Sequence, residues 1–128
     1  MGGPTISRSA VVTPLDRRSF DAAIARLVDS DVQAIAVCLL NAYANPAHEQ
    51  AAAEMVRKAM PDAYLSVSTE VLPSIRFYER VSTTALNAYV GPKLEHYLEQ
   101  LVDRLASAGF SGLLLIMQSN GGVISPQA

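Results

Sequence analysis

The stretch VQAIAVCLL, residues 32–40, constrains the fold most. It is a nearly unbroken aliphatic run with β-branched residues, and far short of the ~20 residues needed to cross a bilayer. It reads as a strand buried on both faces, the kind found inside a parallel sheet. Parallel strands cannot be joined by a tight turn and need a crossover, usually a helix. The flanks supply helices. In LDRRSFDAAIARLVDSD, residues 15–31, Phe20, Ile24, Leu27 and Val28 recur at helical spacing, with Asp16 or Ser19 as N-cap. NPAHEQAAAEMVRKAM, residues 45–60, opens with Asn45 as N-cap and Pro46 in the first helical position. Val56, Ala59 and Met60 form its inner stripe, and Pro61 stops it.

The rest of the chain repeats the alternation. AYLSVSTEV, residues 63–71, is predicted as a second strand, ended by Pro73. GPKLEHYLEQLVDRLASAG, residues 91–109, carries Leu94, Tyr97, Leu98, Leu101, Val102 and Leu105 as a strong helical stripe, with Gly109 just past its end. Gly91-Pro92 predicts two helices there, or one with a kink. GLLLIMQS, residues 112–119, is predicted as a third buried strand, followed by the turn NGG. The resulting class is α/β: a short, mostly parallel sheet with flanking helices in the order α-β-α-β-α-β. The length of 128 residues fits a single α/β domain over residues 1–128, with 1–10 and 123–128 expected to be its disordered ends.

Composition narrows the function. Half of the residues are hydrophobic and 17% are charged, an apolar balance that argues for faces covered by something else. The net charge is −2 and no Lys/Arg cluster exists, which argues against nucleic acid and against a membrane surface. MGGPTIS lacks the features of a signal peptide. The single cysteine, Cys38, excludes an internal disulfide and fits a cytoplasmic, reducing setting. His48 and His96 are read as solvent-facing, and no metal-ligand spacing is present, so no metal site is expected. No Gly-x-Ser-x-Gly elbow and no nucleotide fingerprint occurs, and the catalytic residues stay unknown.

Polar side chains gather where the predicted strands end. Asn41, Tyr43 and Asn45 follow the first; Ser68, Thr69, Glu70 and Arg76 follow the second; Gln118, Ser119, Asn120, Gly121 and Gly122 follow the third. Ligands of open parallel sheets sit at that edge, although loops are polar there for ordinary reasons of solvation. SNGG fits either a phosphate-cradling turn or a hairpin turn. RFYERVSTTALNAY, residues 76–89, places Arg76, Arg80, Thr83 or Thr84, and Asn87 near one helical face, and Tyr78, Ser82, Ala85 and Tyr89 on the next. Such a polar helix lines a ligand cleft or meets a partner surface. Glu79 either serves a site or pairs with Arg76 or Arg80. Tyr78 and Tyr89 are expected to pack with their hydroxyls satisfied.

These blocks carry a resemblance. STEVLPSIRFYERVSTTALNAYVGP, LLIMQSNGG and the earlier AIAVCLLNAYANPAHEQ are similar, in order, to the hydantoinase A/5-oxoprolinase family over about residues 11–125. Phe77 stands where that family commonly has an acid, and Asn41 where it has His. The resemblance implies an internal fragment, from the N-terminal half of a cytoplasmic ATP-dependent subunit whose nucleotide-binding part has the actin-like, ribonuclease H-like fold. It implies opening of cyclic amides such as hydantoin, N-methylhydantoin or 5-oxoproline. ATP would phosphorylate the carbonyl oxygen, with Mg²⁺ on the phosphates. Close relatives carboxylate ketones, and a non-catalytic interaction domain is a further alternative. Implied partners are the remainder of the same chain and either a hydantoinase B type subunit or further copies. The phosphate segments of the family fall outside these residues. The cleft candidates are Glu70, Arg76, Glu79, Arg80, Thr83, Asn87, Gln118, Ser119, Asn120 and Gly121.

Overall fold

A computed structural model of the chain describes residues 11, 13–117 and 122–125. The described residues form four helices and four short strands: α1 (Arg17–Asp29), β1 (Ala34–Val37), α2 (Ala47–Ala59), β2 (Tyr64–Val67), α3 (Ser68–Val71), α4 (Phe77–Ser107), β3 (Ile116–Met117) and β4 (Val123–Ile124). The chain divides into two compact units, residues 1–89 and 90–128. The α/β class stands, with a short parallel sheet and helices on it.

In the first unit, β1 and β2 pair in parallel, with Ala34 opposite Tyr64 and Val37 opposite Val67. Helix α1 is capped by Asp16, whose carboxylate accepts hydrogen bonds from the N–H groups of Arg18 and Ser19. An N-cap of this kind contributes about 1 kcal/mol. Asp16→Ala is therefore expected to destabilise the protein by that amount, read as a lower midpoint in urea denaturation. Ile24 of α1 meets Ile35 and Val37 of β1 and Ala52 and Val56 of α2, and Phe20, Leu27, Met55, Met60 and Leu65 pack around them. Burying each of the larger side chains contributes roughly 1.5–3 kcal/mol.

The strand between these helices is less buried than its sequence predicts. Ile35 and Val37 are buried, but Ala36 between them is exposed and Cys38 is half-buried. The second predicted strand also differs. It stops at Val67, and Ser68–Val71 turns into the one-turn helix α3. Ser and Thr bond readily to local backbone and start helices better than they continue a strand.

In the second unit, α4 ends in a Schellman motif. Gly109 has φ +85°, the Phe110 N–H reaches the Leu105 carbonyl (2.9 Å), and the Gly109 N–H reaches that of Ala106 (3.0 Å). Gly109 thus ends the helix as its position predicts. Gly91-Pro92 does not divide the helix: α4 runs through Pro92 as one element. The predicted third buried strand is corrected. Of its described residues Ile116–Met117 form a strand, β3, which pairs antiparallel with Val123–Ile124, and Leu113, Leu115 and Met117 are exposed. Two β pairs result, one parallel and one antiparallel, in place of a single sheet. Val123–Ile124, in a segment expected to be disordered, forms β4.

Candidate functional site

The carboxyl ends of β1 and β2 are held by two fully buried charged residues, Glu49 and Arg80, each 0% exposed. Glu49 occupies the third position of α2, where an acid usually turns back to cap its own helix. Here it reaches across instead. One carboxylate oxygen accepts from the Leu39 N–H (2.6 Å) and from the Ser68 hydroxyl (2.6 Å). The other accepts from the Thr69 N–H (3.0 Å). Val67 gives α3 no side-chain cap, so Glu49 caps that helix from 20 residues away. A buried carboxylate without a cation is tolerable only when donors surround it, and three do.

Arg80, in the first turn of α4, approaches the same place from the other side. Its guanidinium donates to the carbonyls of Leu39, Leu40 (2.8 Å) and Ser74 (3.0 Å). The rings of Tyr43 and Phe77 lie 5.7 and 5.6 Å from its central carbon, within cation–π range. Its Nε is buried without a hydrogen-bond partner, and no carboxylate pairs with it among the described residues. Carbonyl dipoles and ring faces therefore carry the whole compensation of a buried positive charge. Leu39 is gripped twice: its N–H by Glu49 and its C=O by Arg80.

The same face of α4 continues inward. The Thr84 hydroxyl donates to the Arg80 carbonyl (2.6 Å), and the Asn87 amide donates to the Ser66 hydroxyl (3.0 Å) and the Tyr64 hydroxyl (3.3 Å) on β2. Arg80, Thr84 and Asn87 thus form the polar seam that spacing predicts, satisfied largely within the unit. The opposite face is open: Tyr78 is 81% and Tyr89 71% exposed, with Ser82, Thr83, Ala85 and Leu86 also exposed. The packed tyrosines expected there are corrected; the helix has spent its inward face on Arg80, Thr84 and Ala88.

The other candidates scatter. Arg76 pairs with Glu79 (2.9 Å) and Glu70 with Arg57 (3.4 Å), both on the exposed surface. Thr83 points to solvent, and Thr84 is the buried member of the pair. Gln118, Ser119, Asn120 and Gly121 lie outside the described residues. Sequence reasoning missed Glu49, which looks like an ordinary first-turn acid. The signal was its place, three residues after Pro46 in the first turn of the helix that follows β1. His96 is exposed beside Gln100 (2.8 Å), as expected, whereas His48 is half-buried. His48, Val11, Thr13, Leu39, Asn41, Ala42 and Asn45 line a cavity of about 300 Å³ at the end of β1. Among the described residues no cluster of three His, Cys, Asp or Glu side chains gathers, and no helix is long and apolar enough to cross a membrane.

The hydantoinase/oxoprolinase N-terminal region matches residues 3–60, and the hydantoinase/oxoprolinase family matches residues 80–128. Caprolactamase subunit alpha of Pseudomonas jessenii is 39% identical over 123 residues, 96% of this chain and 18% of that protein. Acetophenone carboxylase gamma subunit of Aromatoleum aromaticum is 31% identical over 121 residues, 91% of this chain and 16% of that protein. The crystal structure of the ATP-dependent caprolactamase from Pseudomonas jessenii superimposes with a TM-score of 0.87 at 38% identity, over 98% of this chain and 18% of that one. The chain spans less than a fifth of the length of these relatives.

Proposed function

Because the chain belongs to the hydantoinase/oxoprolinase family, we propose that it serves an ATP-dependent enzyme that opens cyclic amides such as hydantoin, N-methylhydantoin or 5-oxoproline. The observation that carries this reading is the 39% identity, over nearly the whole chain, to a subunit of a caprolactamase. A ring amide resists water because its nitrogen donates into the carbonyl. Phosphoryl transfer from ATP to the carbonyl oxygen removes that protection: an O–P bond forms and the bond to ADP breaks. Water then adds at carbon, the ring C–N bond breaks with a proton passing to nitrogen, and a second water releases phosphate from the acyl phosphate. Positioning and charge stabilisation are the protein's share.

Among the described residues no group of three His, Cys, Asp or Glu side chains gathers to hold a metal ion, and residues 118–121, which the sequence offers for phosphate contact, lie outside them. Their part in this reading is architectural. Glu49 and Arg80 fix the strand ends of an actin-like, ribonuclease H-like half-domain, and the exposed face of α4 meets other protein. A hydantoinase B type subunit or a further copy is the proposed partner, in keeping with relatives that are themselves named as subunits. The proposed setting is cytoplasmic. The ketone carboxylase reading stands second, supported by the 31% identity to an acetophenone carboxylase subunit. The test is turnover by the full-length protein with its partner subunit, ATP and Mg²⁺. ADP release that depends on a ring amide is expected. Release that instead needs bicarbonate and a ketone would favour the second reading and reject the first.

A further inference from the structure

We infer that the exposed face of α4 is a two-fold interface with a second copy of this chain, formed by antiparallel pairing of the two α4 helices over Tyr78, Ser82, Ala85 and Tyr89. This deepens the role given to that face above, where a further copy is one of two proposed partners, and rests on that role. All four residues belong to the first unit and are exposed. They lie on α4 opposite the inward row of Arg80, Thr84 and Asn87. Their spacing is four, three, four, at which two helices mesh side chains along a seam. A tyrosine stands at each end and the two small residues fill the middle. The row reads large, small, small, large from either end, and its midpoint falls between Thr83 and Thr84. A two-fold axis through that point, normal to the helices, sets Tyr78 of one copy against Tyr89 of the other, and Ser82 against Ala85. Such a patch is its own complement, as an isologous interface must be.

Packing and area both favour this occupant. The small central pair lets the helix axes approach to about 8 Å, the near end of helix packing. The tyrosines then meet as offset aromatic pairs at the two ends of the seam. Antiparallel pairing also sets the helix macrodipoles head to tail, which is favourable. A buried aromatic side chain covers about 150–250 Å². At the exposure of Tyr78 and Tyr89, the four tyrosines of two copies bring about 450–750 Å². Leu86, 62% exposed on the flank of the seam, joins Ser82 and Ala85 in raising the area toward the roughly 1,000 Å² that a specific interface needs. Tyrosine is enriched at such interfaces, because it brings a large apolar ring and a hydroxyl that can stay wet. A face made only for solubility would carry charged side chains in these places.

The experiment uses the full-length protein. Replacing Tyr78 by benzoylphenylalanine, in an equal mixture of isotope-labelled and unlabelled chains, is expected to give photo-cross-links to the region of Tyr89 in another copy. Sedimentation equilibrium should show a dimer. Ala85→Arg should weaken it on the order of a hundredfold, because like charges meet beside the axis. Ala85 is exposed in the protomer, so this variant keeps its fold. Ala85→Ser, equally small, should keep the dimer. Cross-links confined to another part of the same chain or to a hydantoinase B type subunit overturn the two-fold interface, and so does their absence. A monomeric wild type, or self-association of Ala85→Arg equal to that of the wild type, overturns it as well. Each of these results leaves the ring-amide reading standing, since turnover tests that reading.

Discussion

Arg80→Ala is expected to lower the melting temperature by on the order of 15 °C. The substitution leaves the carbonyls of Leu39, Leu40 and Ser74 without their donor and opens a hole between the rings of Tyr43 and Phe77. Each lost bond to a charged group contributes about 1.5–3 kcal/mol before any cavity cost. A loss of about 3 kcal/mol is therefore a conservative figure, and near 5 °C per kcal/mol it gives the stated shift in a unit of this size. Arg80→Lys keeps the charge but not the planar fork, which can serve several carbonyls and stack between rings, so it should recover only part of the loss. A calorimetric scan decides. Melting of Arg80→Ala within about 2 °C of the wild type would show that Arg80 does not brace the strand ends.

Glu49→Gln has the second largest expected effect, and it acts locally. The side chain keeps its size, but one of its oxygens becomes an NH₂ group. That group then faces a backbone N–H, either of Leu39 or of Thr69, so two donors meet in a buried place. The cost is about 2 kcal/mol, set by the donor left unsatisfied. Hydrogen–deuterium exchange in the full-length protein is the measurement. The amides of Leu39 and Thr69 should exchange about thirtyfold faster, while those of α1 keep their protection. Unchanged exchange at both amides would sink the proposed clamp.

The apolar half of the fold was legible in the sequence because it obeys simple periods. Phe20, Ile24 and Leu27 mark the inner stripe of α1, and Gly109 marks the end of α4, because a helical repeat and a left-handed C-cap each leave a local trace. What lay beyond reach was non-local. Nothing within ten residues of Glu49 says that it will accept from Ser68 and Thr69, or that Arg80 will find carbonyls some forty residues away. The predicted third strand failed for a related reason: Leu113 and Leu115 have the composition of a buried strand, but burial depends on what lies against them, and they are exposed. For α4, spacing grouped Arg80, Thr84 and Asn87 correctly but placed Arg76 with them, which lies on the exposed surface beside Glu79, and it could not say whether that face turns inward or outward.

The double grip on Leu39 has a consequence for variation at this position. What the fold requires there is supplied by the main chain, one N–H and one C=O. Many side chains could stand at position 39 without loosening the clamp, so tolerance to substitution would hide how tightly the spot is held. Proline is the exception, since it alone arrives without the hydrogen that Glu49 binds.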